Sequence, residues 1–196
     1  DITGKSKNIF QLALYALFPW LSPYGPEEGV LETWDYYVSQ KGRRIVAVGG
    51  VDAHGIIGDY EEDFVTVSTY VLTPDPFNGA FEHDSASVYA AIREGRCFVG
   101  ADKVANASSF RCHVESGGQP VQMGGTARLA RGANLTVSAP EPGLIRVIHD
   151  GVPVAEEWGS SLAIELDRRG AYRVEVKRKA CRRYVPWIFG NHIYVV

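Results

Sequence analysis

Asp52 and His54 stand one residue apart at the end of the passage IVAVGGVDAHG, residues 45–55. A carboxylate oxygen and an imidazole nitrogen are ligands that suit zinc, manganese or iron. On an extended chain, residues i and i+2 point to the same side, so the pair would reach one point together. The apolar run before them reads as a strand, and in parallel α/β architectures active sites lie at the C-terminal edge of such strands. Gly49 and Gly50 would let the backbone bend close to a site. An aspartate after a buried strand also caps turns, so the triplet alone leaves a plain polar turn open as the other reading.

Few other residues compete for chemistry. His83 is a candidate for a substrate or metal contact, one residue before Asp84, which looks like a helix cap. The acidic run Asp59, Glu61, Glu62 and Asp63 lacks the spaced pattern of a calcium loop and reads as a solvated loop. His113, His149 and His192 fall on strand-like runs and read as structural or exposed. Cys97, Cys112 and Cys181 are odd in number and far apart, which suits buried free thiols better than a disulfide framework. Neither a G-x-S-x-G elbow nor a glycine-rich phosphate loop is present. Trp158, Trp187 and several tyrosines read as core aromatics, with a carbohydrate platform as the alternative. The basic stretch KRKACRRY, residues 177–184, reads as a solvated strand end.

The elements that must position these residues change character along the chain. PEEGVLETWDYYVSQKG, residues 26–42, places Val30, Leu31, Trp34, Tyr37 and Val38 on one helical face, with Pro26 in the first turn and Gly42 at the stop. RRIVAVGG follows as a short strand buried on both faces, and DFVTVSTYVLT alternates like a second strand. A helix is expected from Asp84 to Gly95, then a strand from Cys97. Beyond about residue 105 only strand-like runs recur, with Asp150–Gly151 as a type I′ hairpin signal and YRVEVK alternating as a half-exposed strand should. That half is expected to be a β-sandwich of about seven strands.

Composition sets outer limits. The 196 residues are 45% hydrophobic, enough for one good core or two small ones. A net charge of −3 without a long basic run gives no reason to expect nucleic acid as a partner. The apolar stretch IFQLALYALFPWL is too short to span a bilayer, so no membrane association is expected, and it reads as a buried or docking helix. The chain opens on Asp1 and holds a single methionine, Met123, which suggests a processed chain or a piece of a longer one.

RRIVAVGGVDAHG resembles the last motif of the PHP (polymerase and histidinol phosphatase) superfamily of metallohydrolases, whose usual form is Gly-Ser-Asp-x-His. SVYAAIREGRCFVG is similar to the segment that follows that motif, and GAYRVEVKRK with PWIFGNHIYVV is similar to an immunoglobulin-like tail on the branch that includes carbamate hydrolases. The resemblance implies an α/β plus all-β fold: residues 1–104 as the C-terminal portion of a distorted (β/α)7 barrel, and 105–196 as an accessory β-sandwich. It maps Asp52 and His54 onto the closing metal-ligand pair, with Val51 replacing the usual serine. It implies divalent metal ions, zinc, manganese or iron, two or three in the intact protein, which would activate water and polarise a phosphoryl or carbonyl oxygen. The substrate class implied is a small-molecule phosphoester, with a carbamate or amide as the alternative. The family's opening H-x-H pair is missing here, so this chain alone is expected to show little or no hydrolysis. A half-barrel would expose Phe10, Leu12, Leu14, Leu17 and Trp20, predicting self-association or a retained N-terminal part of the same protein. Two readings compete with a hydrolase fragment: a non-catalytic β-sandwich module that binds a partner or glycan, and a small metal-binding protein using Asp52, His54 and His83.

Overall fold

The structure, a computed structural model, describes residues 25–27, 29–51, 60–64, 66–180 and 183–196. Helix α1 is Val30–Ser39, α2 is the single turn Tyr60–Asp63 and α3 is Phe81–Glu94. Ten strands accompany them: β1 Ser68–Val71, β2 Cys97–Gly100, β3 Arg111–Glu115, β4 Val121–Gln122, β5 Thr126–Ala127, β6 Asn134–His149, β7 Val152–Glu165, β8 Gly170–Ala180, β9 Arg183–Gly190 and β10 Ile193–Val195.

All ten strands join one sheet, in the order β1-β2-β9-β8-β6-β3-β4, with β7 on β6 and β10 bridging β8 to β5. The sheet curls into a half-barrel, and strand outweighs helix by 43% to 17%. This corrects the expected fold class. A (β/α) barrel needs parallel strands separated by crossover helices. Here β1–β2 and β2–β9 are antiparallel, and among the described residues only β5–β10 is parallel. The sandwich is not formed either, because β6 serves both halves of the sheet. Its residues 134–138 pair with β3, its residues 144–149 pair with β8, and β7 follows its other edge across both stretches.

The sequence contains the reason for that switch. Pro140 and Pro142 lie where the β6–β7 register breaks, between Ser138 and Gly143. Proline has no N–H to give a ladder, and irregular sites of this kind tolerate it. Gly143 completes the bend, since an added methyl would sit 2.8 Å from Val176 Cγ1 and 2.9 Å from the Lys177 carbonyl oxygen. The hairpin that follows matches expectation: Asp150 and Gly151 take φ of 49° and 85°, the left-handed pair that a type I′ turn needs. The concave side is filled by Trp187, Phe98, Phe110, Met123, Leu135, Ile145, Ile188 and Ile193, all fully buried.

The helices differ from expectation at their starts. α1 begins at Val30, behind Gly29 in a left-handed conformation (φ 86°), so Pro26 lies ahead of it. It buries Trp34, Asp35 and Val38, while Val30 and Tyr37 stay exposed. α3 starts at Phe81, and Asp84 accepts from the amides of Asn78 and Gly79 at 3.1 and 2.9 Å, holding the loop before the helix. Gly95 ends α3 with φ 79°, as the sequence suggests. The apolar stretch IFQLALYALFPWL lies outside the described residues; among those described, no helix is long and apolar enough to cross a membrane.

Candidate functional site

The passage leading to Asp52 is extended, but it joins no strand ladder. Its backbone is bonded instead by side chains, at every second residue. Trp34 Nε1 of α1 donates to the Ile45 carbonyl at 2.9 Å. The Ala47 amide donates to Asn191 Oδ1 at 2.8 Å, and Asn191 Nδ2 donates back to the Ala47 carbonyl at 3.0 Å. The Gly49 amide donates to Thr69 Oγ1 at 2.9 Å, and that hydroxyl donates to the Gly49 carbonyl at 3.1 Å. Residues 45, 47 and 49 therefore bond at the period of a strand, with an indole, a carboxamide and a hydroxyl standing in for a neighbouring chain. RRIVAVGG has the apolar run of a buried strand, but side chains, not a strand, satisfy its backbone. Gly49 fits because it presses on two valines: an added methyl would lie 2.6 Å from Val99 Cγ1 and 2.7 Å from Val67 Cγ1.

Asn191 is nearly inaccessible and also donates to the Cys97 carbonyl at 2.9 Å, so one amide ties this segment to β2. Burial pushes the Cys97 thiol up, with the Asn191 hydrogen bond opposing. Along the other side of the segment runs an apolar groove of about 590 Å³, walled by Pro26, Trp34, Val48, Val99, Pro186 and Phe189.

Asp52 and His54 themselves lie outside the described residues. His83 is described. It sits exposed in the first turn of α3, with Nδ1 3.0 Å from Asp84 Oδ1. Of the acidic run, Glu61, Glu62 and Asp63 fall on α2, and Asp59 lies outside the described residues. No group of three or more His, Cys, Asp or Glu side chains is placed to hold a metal ion among the described residues. His113 faces Glu115 at 3.2 Å, and His149 stacks on Tyr172 with ring centroids 4.3 Å apart. Of the aromatics weighed as a platform, Trp187 is buried in the core, whereas Trp158 is exposed and tilted toward exposed Tyr184, centroids 6.3 Å apart. Cys97 and Cys112 are buried free thiols, and burial pushes Cys112 up to about 12; Cys181 lies outside the described residues.

A second polar constellation went unread in the sequence. Arg173 of β8 makes a bidentate bond to Asp35 of α1, Nε to Oδ1 and Nη2 to Oδ2, both 2.6 Å. Its Nη1 donates to Glu175 at 2.6 Å, and His192 Nε2 lies 3.3 Å from Asp35 Oδ1. All four side chains are buried. Arg173 and Glu175 of YRVEVK are thus buried although they alternate with apolar residues, with Asp35 of α1 as a counter-ion, while Lys177 is partly exposed. Burial alone would raise Asp35, but the hydrogen bonds and charges of Arg173 and His192 outweigh it and hold the carboxyl below its ordinary value. Burial, with Arg173 nearby, pulls His192 down from 6.5, against the pull of Asp35. Trp34 packs edge-on to His192, centroids 4.6 Å apart, and the Arg173 guanidinium sits over Trp34. The same helix thus seals the ionic cluster and anchors the segment that leads to Asp52.

No protein-family model, no curated protein and no solved structure matches the chain.

Proposed function

We propose that the chain is part of a metal-dependent hydrolase, most consistent with a phosphoesterase, in which Asp52 and His54 are metal ligands. The observation that carries this reading is the side-chain rail under residues 45–49. Three elements fix the backbone just ahead of the Asp-x-His pair, and a ligand pair gains precision from a rigid support. The donor chemistry fits zinc, manganese or iron. Such an ion, when bound, supplies Lewis acidity toward a phosphoryl or carbonyl oxygen. Asn191 and Thr69 act as positioning residues, and the apolar groove beside them offers a dry wall to the body of a substrate. Two ligands are fewer than catalytic zinc sites hold, so the rest of the set comes from chain outside these residues.

The test is hydrolysis of p-nitrophenyl phosphate and a p-nitrophenyl carbamate by the intact protein carrying this chain, with added Mn²⁺. Metal-dependent turnover that falls about a hundredfold or more in both Asp52→Ala and His54→Ala is expected. Turnover unchanged in both variants would remove the pair from the site.

One observation favours a non-catalytic binding module instead. The outer strand β7 exposes Val152, Val154 and Trp158, and Tyr184 lies beside Trp158. Aromatic faces of that kind suit a glycan or a partner chain. Glycan-array binding that Trp158→Ala abolishes, with no metal-dependent turnover, would establish the module in place of the hydrolase.

A further inference from the structure

Four stretches line a second cavity, of about 370 Å³: the start of the rail at Arg44–Val46, the end of α3 and the residues after it at Arg93–Arg96, the turn at Gln122–Gly125, and the β9–β10 link running into β10, with His192 and Tyr194. Its charge is one-sided. Arg44, Arg93 and Arg96 line it, against a single carboxylate, Glu94, which pairs with Arg96. Arg44 is held in place at the rim, its Nη2 donating to Thr126 Oγ1 at 2.5 Å and its guanidinium lying over the Tyr194 ring at 4.2 Å.

Two buried polar atoms without a partner belong to residues of this cavity, and they are the only ones of their kind among the described residues: Arg96 Nε and His192 Nδ1. His192 is only 3% exposed. Unpaired buried polar atoms are costly, so each asks for a partner. Their chemistry differs. Arg96 Nε–H only donates. On His192, Nε2 faces a carboxylate that only accepts, so the ring proton belongs on Nε2 and Nδ1 presents a lone pair. One atom needs an acceptor and the other a donor. Guanidinium forks match phosphate oxygens, and a lone pair matches a hydroxyl.

We propose that this cavity binds a small phosphate ester that carries a free hydroxyl, its phosphate among Arg44, Arg93 and Arg96 and its hydroxyl donating to His192 Nδ1. The site uses none of the residues assigned to metal binding, and it stands or falls separately from the hydrolase reading. Glu94 competes with the phosphate for Arg96, so it tempers the affinity.

Isothermal titration of the full chain with glycerol 3-phosphate, inorganic phosphate and glycerol tests the proposal. Saturable binding of glycerol 3-phosphate is expected, about tenfold tighter than inorganic phosphate, with none for glycerol. Arg44→Met and Arg96→Met should each weaken it about tenfold. Glu94→Gln should tighten it, a gain that a merely structural role for this cluster would not produce, and Arg128→Met, outside the cavity, should leave it unchanged. Absence of glycerol 3-phosphate binding, equal affinity for glycerol 3-phosphate and bare phosphate, or binding indifferent to Arg44→Met and Glu94→Gln would each overturn it.

Discussion

At the scale of single residues, the strongest commitments are the buried charges. One guanidinium, Arg173, answers two carboxylates, Asp35 and Glu175, in a space almost closed to water. Arg173→Met should therefore destabilise the chain by about 3–5 kcal/mol, because it strands both carboxylates. The combined change of Asp35, Arg173 and Glu175 to Leu, Met and Leu should recover much of that loss, and urea unfolding of the two variants measures the difference. His192 adds a pH dependence of definite sign. Its folded-state pKa lies below the ordinary 6.5, so as pH falls through that value the unfolded chain takes up a proton that the folded chain refuses. Unfolding free energy should drop between about pH 7 and 5, and His192→Asn should flatten that limb. Asp35 contributes in a lower window, present above its ordinary 3.8 and lost as pH falls through its depressed folded value. None of this was legible from the sequence, because Arg173 and Glu175 alternate with apolar residues just as exposed charges do. Nothing in a linear pattern shows that a helix 138 positions away will cover them.

Among the elements, turns and helix stops were the most readable, because their signals are local. Gly95 and the Asp150–Gly151 hairpin behave as backbone chemistry requires. Strand partners were the least readable, since pairing is decided across long sequence separations. The apolar run of RRIVAVGG suggested a buried strand, which the family resemblance made part of a (β/α) barrel; the structure bonds that segment to side chains from α1, β1 and the β9–β10 link. The Asn191 clamp makes this arrangement testable. In Asn191→Leu, amide exchange at Ala47 should accelerate about tenfold or more, while β6 and β8 amides in the core keep their protection. Equal acceleration throughout the sheet would show that Asn191 serves global stability and not this segment.

For the molecule as a whole, the long strand β6 and its prolines decide the architecture. A division near residue 104 follows from the local signals along the sequence, which turn from mixed helix and strand to strand alone, and the family resemblance made the first part a portion of a barrel. The ladder between β2, Phe98–Gly100, and β9, Ile188–Gly190, crosses that position. Phe98 packs into the same core as Phe110 and Trp187. Those contacts predict a single calorimetric transition for the chain, with near- and far-ultraviolet dichroism melting together. Two resolved transitions would mean that the parts on either side of residue 104 are thermodynamically separate. Asp52 and His54 stand as a proposal drawn from two residue types one residue apart, and the support of the segment before them was not legible, because it is built from side chains distant in sequence.

The central proposal is that Asp52 and His54, which follow the rail in sequence, bind a metal ion as a pair. Paramagnetic broadening of amide resonances by Mn²⁺ tests it directly, since it registers even weak binding. Broadening centred on Gly49, Gly50 and Val51, and lost in the Asp52→Asn/His54→Ala double variant, is the predicted result. Broadening that is absent from those residues, or that persists in the double variant, would contradict it.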